Sequence, residues 1–409
     1  MLEESSKQDL FERFAAVTNP AVVERMKTEG RDFIAGKPDG AWMFDHEGKR
    51  YLDCDTGAGS FNLGHRQREI IAELRSAMYD TDQGNFPMIS VEKAGLAKAL
   101  SHFVGHDLEC AVFGVMRGES IEFACKIARG FTKRAELITV DGGWYGETGF
   151  AMSLSERTDK QQYEPLIPET KTIAFGDLEA AENAIGSQTA AVLLEPVQAE
   201  NHCREAQTDY VQGLKRLCDK HHVLLVMDET QTGFGRVGDK FAFVTLGVTP
   251  DILILGEALG GGIFPICAAF ISQRVNAYLN DHPLIHLSTF GGSDLGCRVA
   301  KKSLDVYEAE KPWANAAQKG SKILTFLKEV KAANADKVVS VQGVGLLLSM
   351  EMDSIERAQA FCRAATENGL LVLRGKVNTR SVVLRPSLLV TDSELAYLMD
   401  AITATMKQL

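Results

Sequence analysis

The sequence predicts an α/β fold in which a large domain built on a mostly parallel central sheet carries a smaller α+β domain. Three observations predict it. Two apolar runs, Val223–Met227 and Ile252–Leu255, are too short for buried helices and have the unbroken apolar character of interior parallel strands. The first ends in Asp228-Glu229-Thr230-Gln231 and the second in Gly256-Glu257-Ala258, and open α/β sheets place ligands at the carboxyl ends of their strands. Third, Cys110–Val115 is a short buried strand that runs through Met116-Arg117-Gly118 into a helical pattern ending near Arg129.

The remaining elements follow in order. Helical patterns lie around Asp9–Ala16 and Ala21–Glu29. Asp45-His46-Glu47-Gly48 between apolar runs is a hairpin signal. A glycine-rich loop, Thr56–His65, precedes helices over Arg68–Met78 and Val91–Phe103. Glu136–Val140 and Ala190–Leu194 read as strands, Val211–His221 as a helix, Ala268–Ile271 as a strand and Leu295–Glu310 as a long helix. The C-terminal part opens with a helix and continues with strands Val338–Gln342 and Leu346–Met352 and helix Ile355–Asn368. Strands Leu370–Arg374 and Val382–Arg385 and a terminal helix, Asp392–Lys407, complete it. The expected division is 1–60 for N-terminal helices and a meander joining the small domain, 61–311 for the large domain, and 312–409 for the small one.

Composition narrows the function classes. The 409 residues, 45% hydrophobic and 24% charged, suffice for a large core. A formal net charge of −11 with scattered basic residues argues against nucleic-acid and anionic-membrane partners. Eight widely spaced cysteines without a CxxC pair read as core thiols in a reducing compartment, so no metal site is expected. The acidic, amphipathic start MLEESSKQDLFERFAAV lacks the charge pattern of a signal peptide, and no apolar run approaches a membrane span. A cytoplasmic protein is expected.

Several phrases together carry a family resemblance: Tyr51-Leu52-Asp53 with Leu63-Gly64-His65, the run Glu122 to Arg129, Glu195-Pro196-Val197-Gln198-Ala199-Glu200, Asp228 to Gln231, and Thr289-Phe290-Gly291-Gly292. The chain resembles the class III aminotransferases of the ornithine and 4-aminobutyrate type, pyridoxal-phosphate (PLP) enzymes of fold type I. The resemblance covers almost the whole chain. It implies a homodimer, a small-molecule amine or amino-acid substrate with a carbonyl acceptor, and PLP or pyridoxamine phosphate (PMP) as cofactor.

It also implies roles. Asp228 would hold the pyridine nitrogen and keep it protonated, Gln231 would donate to the phenolic oxygen, and Trp144 would stack on the ring, with Tyr145 where the family has His. The amides of Gly118, Glu119 and Ser120 would hold the phosphate at a helix start, where unpaired N–H groups and the helix dipole favour anions. Thr289 would reach the phosphate of the other subunit. Glu195 would lie near the ring, and Glu200 would pair with an active-site arginine. Three positions depart from the pattern. Met116-Arg117-Gly118 replaces Ser-Gly-Thr or Ser-Gly-Ala, so a hydroxyl donor is missing, and Arg117 either donates to the phosphate or points to solvent. Val383 stands at the usual arginine position; Arg385, on the same strand face, either substitutes as a carboxylate clamp or is a surface residue.

The third departure limits the function. Glu257 occupies the position of the lysine that forms the Schiff base and shuttles the proton. A carboxylate can accept a proton and cannot tether the cofactor. It would also sit beside Glu195 and Asp228, and two like charges ~4 Å apart repel by roughly 4 kcal/mol at an effective dielectric of about 20. Two readings stand: an aminotransferase impaired at position 257, or a natural lysine-less PLP- or PMP-binding homologue with a non-transaminase or accessory role.

Overall fold

The computed structural model describes residues 6–409; the first five residues of the acidic N-terminal stretch lie outside them. Helices α1 (Lys7–Val17) and α2 (Pro20–Thr28) start at Ser6 and Asn19, whose side chains accept first-turn amides. Strands β1 (Trp42–Phe44) and β2 (Arg50–Asp53) form the hairpin expected around Gly48. Helices α3 (Arg68–Ala77) and α4 (Val91–Val104) follow. Then come β3 (Leu108–Gly114), α5 (Arg117–Thr132), β4 (Glu136–Val140) and α6 (Gly149–Leu154). Next are β5 (Thr170–Ile173), α7 (Leu178–Ala184), β6 (Thr189–Leu194), and the short pair β7 (Val197–Gln198) and β8 (Arg204–Glu205). Helix α8 (Thr208–His221) leads into β9 (Leu224–Asp228), α9 (Ala242–Leu246), β10 (Ile252–Leu255) and β11 (Cys267–Ser272).

These strands build one seven-stranded sheet in the order β3-β11-β10-β9-β6-β4-β5. Five neighbours, from β10 to β5, run parallel, and β11 runs antiparallel to both β10 and β3. Strands β6, β9 and β10 are buried along their whole length, which explains their lack of alternating polar residues. In this register Asp228 lies beside Ile254, so β9 and β10 end together and present Asp228 and Glu257 at one edge.

After the short α10 (Gln273–Asn276), helix α11 (Asp294–Glu310) starts on the Ser293 cap and ends at Lys311, in the left-handed region. Pro312 then opens α12 (Pro312–Ala333). Strands β12 (Val338–Val344) and β13 (Leu347–Met352) and helix α13 (Ile355–Glu367) follow. The strand expected over Leu370–Arg374 is two: β14 (Leu370–Leu371) pairs with β2, and β15 (Leu373–Arg374) pairs with β16 (Ser381–Leu384). The chain crosses from one sheet to another at Val372, a choice of hydrogen-bond partner that local sequence does not carry. Helix α14 (Asp392–Lys407) begins on a capping box of Thr391 and Glu394. The small sheet has the order β12-β13-β16-β15, and β1-β2-β14 ties the N-terminal hairpin to the C-terminal segment. Among the described residues no helix is long and apolar enough to cross a membrane.

Candidate active site

The polar edge of the central sheet is closed by the start of α5. The residue before this helix is Met116, which offers no capping side chain. The cap comes instead from across the sheet: the backbone N–H of Arg117 donates to Glu257 Oε1 at 2.8 Å. The Arg117 side chain turns inward over the strand ends. Its Nε donates to Asp228 Oδ2 and its Nη2 to Glu195 Oε1, each at 2.7 Å. Its guanidinium lies 5.9 Å from the centre of the Tyr145 ring. Glu195, just past β6, also accepts the Trp144 N–H at 2.8 Å.

Arg117 is 9% exposed, which rules out the solvent-pointing alternative. The reason is electrostatic. Two carboxylates buried at neighbouring strand ends need a counter-charge, since a buried unpaired charge costs several kcal/mol. Burial alone lowers the Arg117 pKa, but Asp228 and Glu195 outweigh it and push it above its ordinary value. One cation does not balance both acids. Burial, reinforced by Asp228, pushes Glu195 up to about 7 against the pull of Arg117 and the Trp144 N–H.

Neighbouring groups have partners of their own. The Glu119 and Ser120 amides both donate to the Met116 carbonyl, at 3.0 and 3.4 Å, so they are used within the helix. The Glu119 carboxylate turns back to accept the Val115 N–H at 2.7 Å and lies 3.3 Å from His286. Gly118 packs closely: a Cβ there would stand 2.8 Å from the Thr148 side chain, which would have to shift. Tyr145 accepts from Thr139 and donates to the Leu193 carbonyl, and so forms a buried wall behind Arg117.

A second cluster forms where the small sheet meets the large one. Arg385, immediately after β16, is 4% exposed, which rules out the surface reading. Its Nη1 donates to Glu200 Oε1 at 2.9 Å and to Gln231 Oε1 at 2.5 Å, and its Nη2 donates to Asp55 Oδ1 at 2.6 Å. Gln231 also donates to Glu200 at 3.2 Å, so both ends of its amide are engaged in this cluster. Burial pushes Glu200 up, but Arg385 more than offsets it and holds the acid below its ordinary value. The arrangement is a preformed guanidinium clamp with carboxylates already in its fork.

Sequence reasoning missed Asp55, although it lies two residues after Asp53 in the opening phrase. It also missed Lys376 and Arg157, whose cationic groups lie 4.6 and 5.4 Å from the Trp144 ring centre. No local signal marks either, because both reach Trp144 through the tertiary fold. They line a cavity of about 520 Å³ together with Trp144, Glu147 and Arg374. Thr289 lies in an exposed loop, where its carbonyl accepts the Asn85 N–H at 2.8 Å.

Comparison with known proteins identifies the family. A family model described as aminotransferase class-III matches residues 25–406. An uncharacterized aminotransferase from Archaeoglobus fulgidus is 33% identical over 401 residues, covering 98% of this chain and 94% of that protein. A putrescine aminotransferase from Pectobacterium atrosepticum is 30% identical, covering 98% and 89%. Among solved structures, the ornithine aminotransferase from Toxoplasma gondii superimposes with a TM-score of 0.89 at 26% identity, covering 99% of this chain and 95% of that one. That structure contains PLP at partial occupancy in its active site.

Proposed function

This chain belongs to the class III aminotransferase family, and from that premise we propose that it holds its cofactor without a covalent tether and transfers amino groups slowly. The family fold and its solved relatives support PLP, or its amino form PMP, as the cofactor. The observation that carries the proposal is the contact of Glu257 with the first amide of α5. In this reading Glu257 stands at the position of the family's lysine, and a carboxylate there supplies no amine.

The donor set suits the cofactor in kind. A cation already rests on Asp228 and an anion on the start of α5, so each end of the site favours the charge the cofactor would bring. Bound there, the cofactor supplies an electron sink. The chain's residues would do the rest. Asp228 would hold a proton on the ring nitrogen through a charge-assisted hydrogen bond. Trp144 would cover the ring face, and Gly118, with Thr289 from a second subunit, would hold the phosphate. Arg385, released from Glu200, would clamp a substrate carboxylate. Glu257 could accept a proton from a substrate carbon, but beside Glu195 and Asp228 it is a poor substitute for an amine.

The second reading, a lysine-less homologue with an accessory role, is favoured by Arg117, whose side chain fills the space over Asp228 and Glu195. A single exchange at position 257 in a working enzyme would not bring an arginine into the same site.

Glu257→Lys tests the shared premise. Incubation with PLP, borohydride reduction and peptide mass spectrometry should locate a pyridoxyl group on position 257. An unmodified peptide would mean that this position does not face the cofactor.

A further inference from the structure

We propose that Arg117 and Glu257 are an internal counterpart of the cofactor, with the guanidinium taking the place of the ring cation and the carboxylate taking the place of the phosphate. The proposal rests on the reading of this edge of the sheet as the cofactor site. Its ground is geometric. Asp228, which would hold the ring nitrogen, is occupied by Arg117 Nε at 2.7 Å, and the first amide of α5, next to Gly118 at the helix start where the phosphate would lie, is occupied by Glu257 at 2.8 Å.

The two contacts are one device, because a single residue links them. Arg117 gives its backbone to Glu257 and its side chain to Asp228 and Glu195, so it spans the site from helix start to strand end. The guanidinium lies against Tyr145 in a buried slot. Asp228 uses its other oxygen, Oδ1, to accept the Thr230 N–H at 3.0 Å, which fixes the carboxylate toward Arg117. The charges compensate in part: the guanidinium meets both strand-end acids, and the helix start meets an acid.

Two consequences follow. The chain supplies its own partners at both ends of the site without cofactor, whereas a site lacking Arg117 leaves Asp228 and Glu195 without a counter-ion. PLP or PMP binds only by displacing Arg117 from both carboxylates and Glu257 from the helix, so affinity is set by that exchange. Arg117 is thus a positioning residue that decides whether the site is filled from within or from solution.

The test uses the full chain, with PMP and PLP as probes. Calorimetric titration should give at least tenfold tighter PMP binding for Arg117→Gly than for wild type. The melting temperature of cofactor-free Arg117→Gly should fall below that of wild type, and saturating PMP should restore it. Arg117→Gln, which keeps much of the side chain's bulk without the charge, should move both readouts in the same direction by less and covers the case in which the glycine variant does not fold. Unchanged PMP affinity and unchanged cofactor-free melting in these variants would overturn the internal counterpart. If Glu257→Lys still takes a pyridoxyl adduct in that case, the cofactor site stands and this inference alone fails. If no variant binds PLP or PMP and Glu257→Lys takes no adduct, both fail.

Discussion

Glu195 shows how one residue records the charge balance of the site. Its folded pKa is raised to about 7 from an ordinary 4.5, with burial as the first cause. The sign of the pH effect follows. Between about pH 4.5 and 7 the folded chain keeps a proton that the unfolded chain has released, so stability falls as pH rises through that window. The full effect is on the order of 3 kcal/mol for such a shift. Glu195→Gln removes the titration and keeps the size of the side chain. Thermal melts from pH 4.5 to 8 should therefore slope downward more steeply for wild type than for Glu195→Gln; parallel slopes would mean that Glu195 stays ionised beside Arg117. At this scale the sequence was only partly legible. Asp228, Glu195 and Glu257 could be located because each ends a recognisable strand. The direction of Arg117 could not, because its partner Asp228 is 111 residues away and only the closed sheet brings them together.

The elements were legible wherever local pattern and buried environment agree. Strands β4 and β10 and helix α14 have the bounds expected from apolar runs and caps. Pairing partners were not legible: nothing in Cys267–Ser272 announces an antiparallel neighbour, and nothing in Leu370–Arg374 announces two sheets. The loops around α4 and α11 carry a signal of a different kind. Phe86, Met88, Ile89 and Val91 are exposed, as are Leu284, Leu287 and Phe290, with Ile89 at 97%. Asn85 joins the two segments through the carbonyls of Ser288, Thr289 and Gly291. Adjoining exposed apolar segments mark an interaction surface. We propose that they form the homodimer face and carry Thr289 toward the second subunit. Sedimentation should show a dimer at micromolar concentration, and Ile89→Asp with Leu287→Asp should yield monomers. A wild-type monomer would remove Thr289 from the site.

At the scale of the molecule, the sequence resemblance spanned nearly the whole chain, and the architecture agrees with the solved aminotransferases to the same extent. The fold was legible because strand length, glycine turns and helix caps all point to one α/β arrangement. The departure we propose at position 257 rests on the sequence resemblance, and the inward turn of Arg117 beside it was not legible there. The account predicts a family fold that keeps the apparatus for a cofactor and lacks the amine that fastens it. The most direct measurement is the intact mass of the wild-type chain after saturation with PLP and borohydride reduction. The account predicts an unmodified mass, with the cofactor lost on desalting. A stoichiometric pyridoxyl group on any lysine, for example Lys376 beside Trp144, would show that another amine does the fastening and would contradict it.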